Sequence, residues 1–183
     1  MGLHIKEQLL NAEQLDQVLQ SMTEAIAGSE MDFSNVAFLG VVTHGATLAD
    51  RLAKKLTERL KRSFLVSYVD ITLYRDDRLD SPHDPFERKF EIPFSVANRE
   101  LILVDDVLFT GRTVRAAISS ILDRGRPKRI KVAALVDRGH RELPIFAEYV
   151  GLHVDTALDE GIRLYLGHPD HADGLYRVAE GDD

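Results

Sequence analysis

The chain contains no cysteine, which excludes disulfides and thiolate metal sites and suits a reducing compartment such as the cytoplasm. No apolar run approaches the roughly 20 residues that a membrane-spanning helix needs, so no membrane association is expected. The opening Met1-Gly2-Leu3-His4-Ile5-Lys6 lacks the basic-then-apolar layout of a signal peptide. Lys6 stands where a myristoylation motif wants Ser or Thr. No internal repeat, low-complexity tract or interdomain linker is visible. Positive charge is also short: the formal net charge is −7, which argues against indiscriminate binding to nucleic acid.

What is present fits one domain over residues 1–183, since 44% hydrophobic residues suffice for a real core. From Asn11 to Glu30 the chain reads as a helix, with Leu15, Val18, Leu19, Met22 and Ile26 on one face and Gly28 as a stop. This segment has no Lys, Arg or His, and its outer face is neutral to acidic. Residues 36–42 are a short, continuous apolar run of the kind found in strands buried on both faces. They lead into Thr43-His44-Gly45 and a helix from about Thr47 to Arg62, with Leu48, Leu52, Leu56 and Leu60 in register. Arg51, Lys54, Lys55, Arg59, Lys61 and Arg62 cover much of its remaining surface, as on an ordinary solvated face. Residues 64–73 read as one long strand or two short ones. Residues 74–98, charged and proline-containing, are too long for an ordinary loop and suggest a lid or small flap. A strand at 101–104, a helix from Thr113 to Arg124 stopped by Gly125 and Pro127, and a strand at 130–136 follow. Further strands are expected within 145–167. This order predicts an α/β fold with a parallel sheet.

Ligands of open parallel sheets bind beyond the carboxyl ends of the strands. Three predicted strands end in polar, glycine-containing loops: Thr43-His44-Gly45, the stretch from Asp105 to Thr113, and Asp137–Arg141. Thr110-Gly111-Arg112-Thr113 suits a phosphate, because successive backbone amides there meet a helix N-terminus whose dipole favours an anion. A plain threonine N-cap is the alternative. Asp105 and Asp106 repel each other and raise each other's pKa unless solvated or bound. A cis-diol would offer them hydroxyl donors, and Mg²⁺ would offer charge. Gly40 to Thr47 has the glycine spacing of a P-loop, but Ala46 stands where its lysine must be, so an ATPase is rejected. His168 and His171, around Pro169, are not read as metal ligands.

The stretch from Leu101 to Thr113, an apolar strand, Asp-Asp, an apolar bridge and Thr-Gly-Arg-Thr, resembles the phosphoribosyl pyrophosphate (PRPP) motif of type I phosphoribosyltransferases. Asp70-Ile-Thr-Leu-Tyr-Arg75-Asp76-Asp77, the continuation Gly111-Arg112-Thr113-Val114-Arg115-Ala116, and Leu135-Val-Asp-Arg-Gly-His-Arg-Glu-Leu-Pro144-Ile145 narrow the resemblance to the PyrR family. It extends over roughly residues 8–150. It implies a type I phosphoribosyltransferase-like parallel sheet flanked by helices, with residues 74–98 as a small flexible hood. It also implies a cytoplasmic homo-oligomer, dimer or higher, that converts uracil and PRPP with Mg²⁺ to UMP and pyrophosphate.

Carried over by that resemblance, PRPP would be held by Thr43, His44 and Gly45 and by Asp105, Asp106, Val107, Leu108, Phe109, Thr110, Gly111, Arg112 and Thr113. Asp105 and Asp106 would serve the ribose hydroxyls and the metal shell, Arg75 the leaving group, and Asp137 and Arg138 the base. His140 and Arg141 would remain for leader mRNA of a pyrimidine operon. Two departures stand out. His44 replaces the usual arginine of the first loop, and histidine is only partly charged near neutral pH. The cations that RNA-binding relatives carry on the first helix, and after the Glu-Leu-Pro-Ile match, are missing: Phe146 occupies one such place, and Gly151–Thr156 has no lysine. RNA affinity depends on phosphate neutralisation, so the resemblance favours the transferase. A nucleotide-sensing RNA attenuator with incidental or lost catalysis is the alternative.

Overall fold

The small sheet that joins the two ends of the chain is the largest departure from the sequence reading. The computed structural model describes residues 3–71, 92–168 and 171–180. The elements run β1 (Leu3–Leu10), α1 (Ala12–Ala27), β2 (Val36–Val41), α2 (His44–Leu60), β3 (Leu65–Val69), β4 (Glu100–Leu108), α3 (Arg112–Leu122), β5 (Arg129–Asp137), β6 (Tyr149–His153), β7 (Glu160–Tyr165) and β8 (Gly174–Glu180). A parallel sheet in the order β3-β2-β4-β5-β6 forms the centre, and β1-β8-β7 form a separate antiparallel sheet.

Alternation along the parallel strands builds two cores. Phe38, Ile102, Val104, Ala133 and Leu135 face α1 and α2 and meet Leu15, Leu19, Leu48, Leu52 and Leu56. Ala37, Leu39, Leu101, Leu103 and Ala134 face α3 and meet Val114, Ala117 and Ile121. Each fully buried leucine contributes about 1.5–3 kcal/mol of transfer free energy. Leu10, Leu164 and Leu175 of the antiparallel sheet extend the first core.

Helix α1 is one residue shorter at its start than expected, because Asn11 caps it. The Asn11 side chain accepts from the Gln14 amide, and the Gln14 side chain accepts from the Asn11 amide, both at 2.9 Å, closing a capping box. Gly28 ends the helix as read. The strand expected at 101–104 continues through the acid pair to Leu108, and α2 starts at His44 rather than Thr47. The expected strand 64–73 is realised as Leu65–Val69. Residues 72–91, most of the expected hood and including Arg75, lie outside the described residues. Beyond them Val96 is buried in the α3 core, with Ile92 and Phe94 packed against it.

The basic face of α2 meets the acidic side of α1 and the turn before β8. Lys55 pairs with Asp16 at 2.8 Å, Arg59 with Glu24 at 3.1 Å and Arg51 with Asp173 at 2.6 Å. Exposed pairs of this kind contribute about 0–1 kcal/mol each; their main effect here is to cancel charge. Among the described residues no helix is long and apolar enough to cross a membrane.

Candidate active site

Strands β2, β4 and β5 are neighbours and parallel, so the three loops singled out in the sequence leave one edge of one sheet. The first loop lies against the second. A Cβ on Gly45 would stand 2.5 Å from the Val104 carbonyl oxygen and 3.3 Å from the Asp105 Cα, so only glycine lets the start of α2 approach the acid pair this closely. The second loop turns at Gly111, whose φ is +91° and where a Cβ would meet that of Ile145 at 3.1 Å. Gly111 is the N-cap of α3 and has no side chain to cap it. Neither Thr110 nor Thr113 holds the N-cap position. The Thr110 hydroxyl accepts from the Arg112 amide at 3.3 Å, and the helix start retains its anion-favouring dipole.

Asp105 is only 3% exposed. One of its oxygens accepts from the Asp106 amide at 3.0 Å; the other is buried with no hydrogen-bond partner. Burial, reinforced by the neighbouring Asp106 charge, holds its carboxyl well above the ordinary range. Asp106 is half-buried, and one of its oxygens accepts from the Val107 amide at 2.9 Å. A buried carboxylate oxygen without a donor is costly and marks Asp105 as a group suited to accept from a bound hydroxyl or to hold a cation.

The third loop is bound to the second at several points. Arg138 N donates to the Leu108 carbonyl at 3.1 Å, and the amides of Glu142 and Leu143 donate to that of Thr110 at 3.0 and 3.1 Å. The Arg141 guanidinium donates to the carbonyls of Phe109 at 2.6 Å and Ile145 at 2.9 Å, and to Asp137 Oδ2 at 2.5 Å. Burial works against the Asp137 charge, yet the Gly139 amide and Arg141 hold its carboxyl below the ordinary range. Arg112 pairs with Glu142 at 2.7 Å.

Arg138 is buried. It donates to the Thr156 hydroxyl at 3.0 Å and to the Glu160 carbonyl at 2.8 Å, and its guanidinium lies 4.1 Å from the centre of the Phe109 ring, a cation–π contact. The imidazole Nε2 of His140 is 2.7 Å from the Thr156 carbonyl oxygen. Arg138, His140 and Arg141, which the resemblance assigned to base and RNA, thus hold the third loop to Phe109 and to residues 156–160. The sequence carried no signal for Thr156 or for the seat of Ile145 beneath Gly111.

A family profile described as "Phosphoribosyl transferase domain" matches residues 6–161. The "Bifunctional protein PyrR" of Deinococcus deserti is 43% identical over 170 residues, 93% of this chain and 93% of that protein. That of Deinococcus radiodurans is 44% identical over 168 residues, 92% of each. The chain belongs to the PyrR family of phosphoribosyltransferases. Its fold also resembles a hypoxanthine-guanine phosphoribosyltransferase from Bacillus anthracis at a TM-score of 0.71 and 18% identity, over 98% of this chain and 100% of that one. The Asp105–Thr113 stretch occupies the centre of the three-loop edge.

Proposed function

We propose that the chain transfers the phosphoribosyl group of PRPP to uracil, forming UMP and pyrophosphate. The observation that carries this reading is the acid pair: Asp105 has a buried oxygen without a donor, beside Asp106, between the glycine-capped start of α3 and the close-packed first loop. The ribose hydroxyls of PRPP supply the missing donors. As pyrophosphate departs, the ribose ring gains positive charge, which two fixed carboxylates stabilise. Backbone amides of Thr110–Thr113 take the 5′-phosphate, and the first loop takes the pyrophosphate. Arg75 is part of the same reading as a contact to the leaving group, and the Asp137–Arg138 end of β5 as the wall facing the base.

Asp105 and Asp106 suit Mg²⁺, a hard cation that takes oxygen ligands. Among the described residues no group of three or more His, Cys, Asp or Glu could hold a metal, so PRPP and water would complete the shell. When bound with PRPP, the ion neutralises charge on the pyrophosphate. A cytoplasmic homo-oligomer, dimer or higher, belongs to the same reading.

UMP formation from uracil, PRPP and Mg²⁺ is the test, run beside a panel of other free bases. Asp105→Asn combined with Asp106→Asn abolishes it. Turnover of hypoxanthine in place of uracil would defeat the substrate assignment.

A second reading, a UMP-responsive attenuator binding pyrimidine operon leader mRNA, is favoured by the bifunctional character that the relatives' name, "Bifunctional protein PyrR", gives them. Charge opposes it in this chain. Helix α1 carries no cation, three cations of α2 are neutralised, Phe146 is 77% exposed, and Arg138 and Arg141 are committed to carbonyls. A filter-binding titration with the leader RNA is expected to show weak, salt-sensitive association that UMP does not enhance. Tight, UMP-enhanced, sequence-specific binding would reverse the ranking.

A further inference from the structure

A cavity of about 320 Å³ lies between the first loop and the antiparallel sheet, and His44, Arg163, Tyr165, His168 and His171 are among its lining residues. It was not foreseen, because His168 and His171 read as an isolated pair in the tail. The fold brings them to His44, the first residue of α2, which has no side-chain cap. Arg163 is exposed on β7 between Ile162 and Leu164, which belong to the core side. Its guanidinium makes no ion pair or hydrogen bond among the described residues. The two histidines are organised by an aromatic platform: His171 stacks on Tyr165 at 4.3 Å, His168 meets the same ring edge-on at 5.6 Å, and Tyr176 backs it at 5.5 Å.

No carboxylate lines the cavity among the described residues, in a chain whose net charge is −7. The nearby Asp173 is already engaged: it accepts from the Gly167 amide at 2.7 Å and from Arg51 at 2.6 Å. An arginine with no ion pair among the described residues, three imidazoles and the start of a long helix converge on one polar space. That chemistry selects a multiply charged anion rich in acceptor oxygens.

We propose that this cavity extends the first loop into a pyrophosphate subsite, in which Arg163, His168 and His171 add donors from the antiparallel sheet to those of the first loop at His44. The inference rests on the PRPP reading of the three loops. Arg163 acts on the leaving group, and the imidazoles beside it add hydrogen-bond donors.

The experiment uses the full chain with inorganic pyrophosphate as the probe, read as a thermal upshift and as product inhibition against PRPP. Wild type is expected to be stabilised by pyrophosphate. Arg163→Gln is expected to raise the pyrophosphate inhibition constant about tenfold, the loss of one charge-assisted contact, with the uracil KM unchanged. Arg163→Lys restores part of the affinity. His168→Gln with His171→Gln gives a smaller loss in the same direction, and unliganded melting temperatures show that each variant is folded. If wild type makes UMP and binds pyrophosphate but the variants bind it equally well, the subsite is wrong and the transferase reading stands. If wild type neither makes UMP nor is stabilised by pyrophosphate, both are wrong.

Discussion

Asp105 sits in a fold that disfavours its charge. Its folded pKa is raised by burial and by Asp106. A carboxyl raised in this way contributes stability that is fully present below its unfolded pKa of about 3.9 and is lost as pH rises through the folded value. Asp105→Asn keeps an acceptor for the Asp106 amide and removes the charge. It should therefore raise the melting temperature at neutral pH while stopping UMP formation, and its advantage should vanish below about pH 4, where Asp105 is neutral in both states. A variant no more stable than wild type at pH 7 would show that Asp105 is not held against its ionisation. The acid pair was legible in the sequence because two adjacent carboxylates after an apolar run have few structural uses. The burial of Asp105 was less so, since β4 was expected to end before it. Continued pairing with β5, as in Asp105↔Ala134 and Val107↔Val136, carries the strand, and with it Asp105, into the interior.

At the scale of elements, the second and third loops behave as one body. Arg141 binds three carbonyl-bearing segments and Asp137 at once, with both partners of its ion pair mostly buried. Arg141→Ala should cost about 2–4 kcal/mol in a denaturant melt and raise the KM for PRPP, because Thr110 loses its backing. Asp137 has a depressed folded pKa, so its contribution is present above about pH 3.9 and is lost as pH falls through the folded value. The stability gap between wild type and Arg141→Ala should accordingly narrow on acidification below that pH; a gap independent of pH would place the loss in the carbonyl contacts alone. Helix periodicity made all three helices legible. Their exact starts were not, because these depend on close contacts such as that of Gly45 with β4, which leave no periodic trace.

Across the whole molecule, the parallel sheet was legible from the alternation of apolar runs and amphipathic helices, whereas the antiparallel sheet was not. Residues His4–Gln8 are all exposed, and of the described side chains of β1 only that of Leu10 is buried, so burial there follows no period of two. Backbone pairing with β8 holds the strand in place. Deleting residues 1–10 should uncover the β8 edge and produce concentration-dependent association in light scattering, together with a lower melting temperature from the loss of Leu10. A monodisperse, equally stable product would show that β1 is dispensable.

The same pairing bears on how the chain is made. In the antiparallel sheet β8 is the middle strand, yet it is synthesised after both of its neighbours. The parallel sheet and its three loops can close on a nascent chain, but β1 and β7 wait unpaired until residues 174–180 emerge from the ribosome. The pocket wall bearing Arg163 is therefore fixed last, and a stalled or prematurely terminated chain would carry its acid pair and the loop at Gly111 behind an unfinished edge, exposed to chaperone capture before it could turn over substrate.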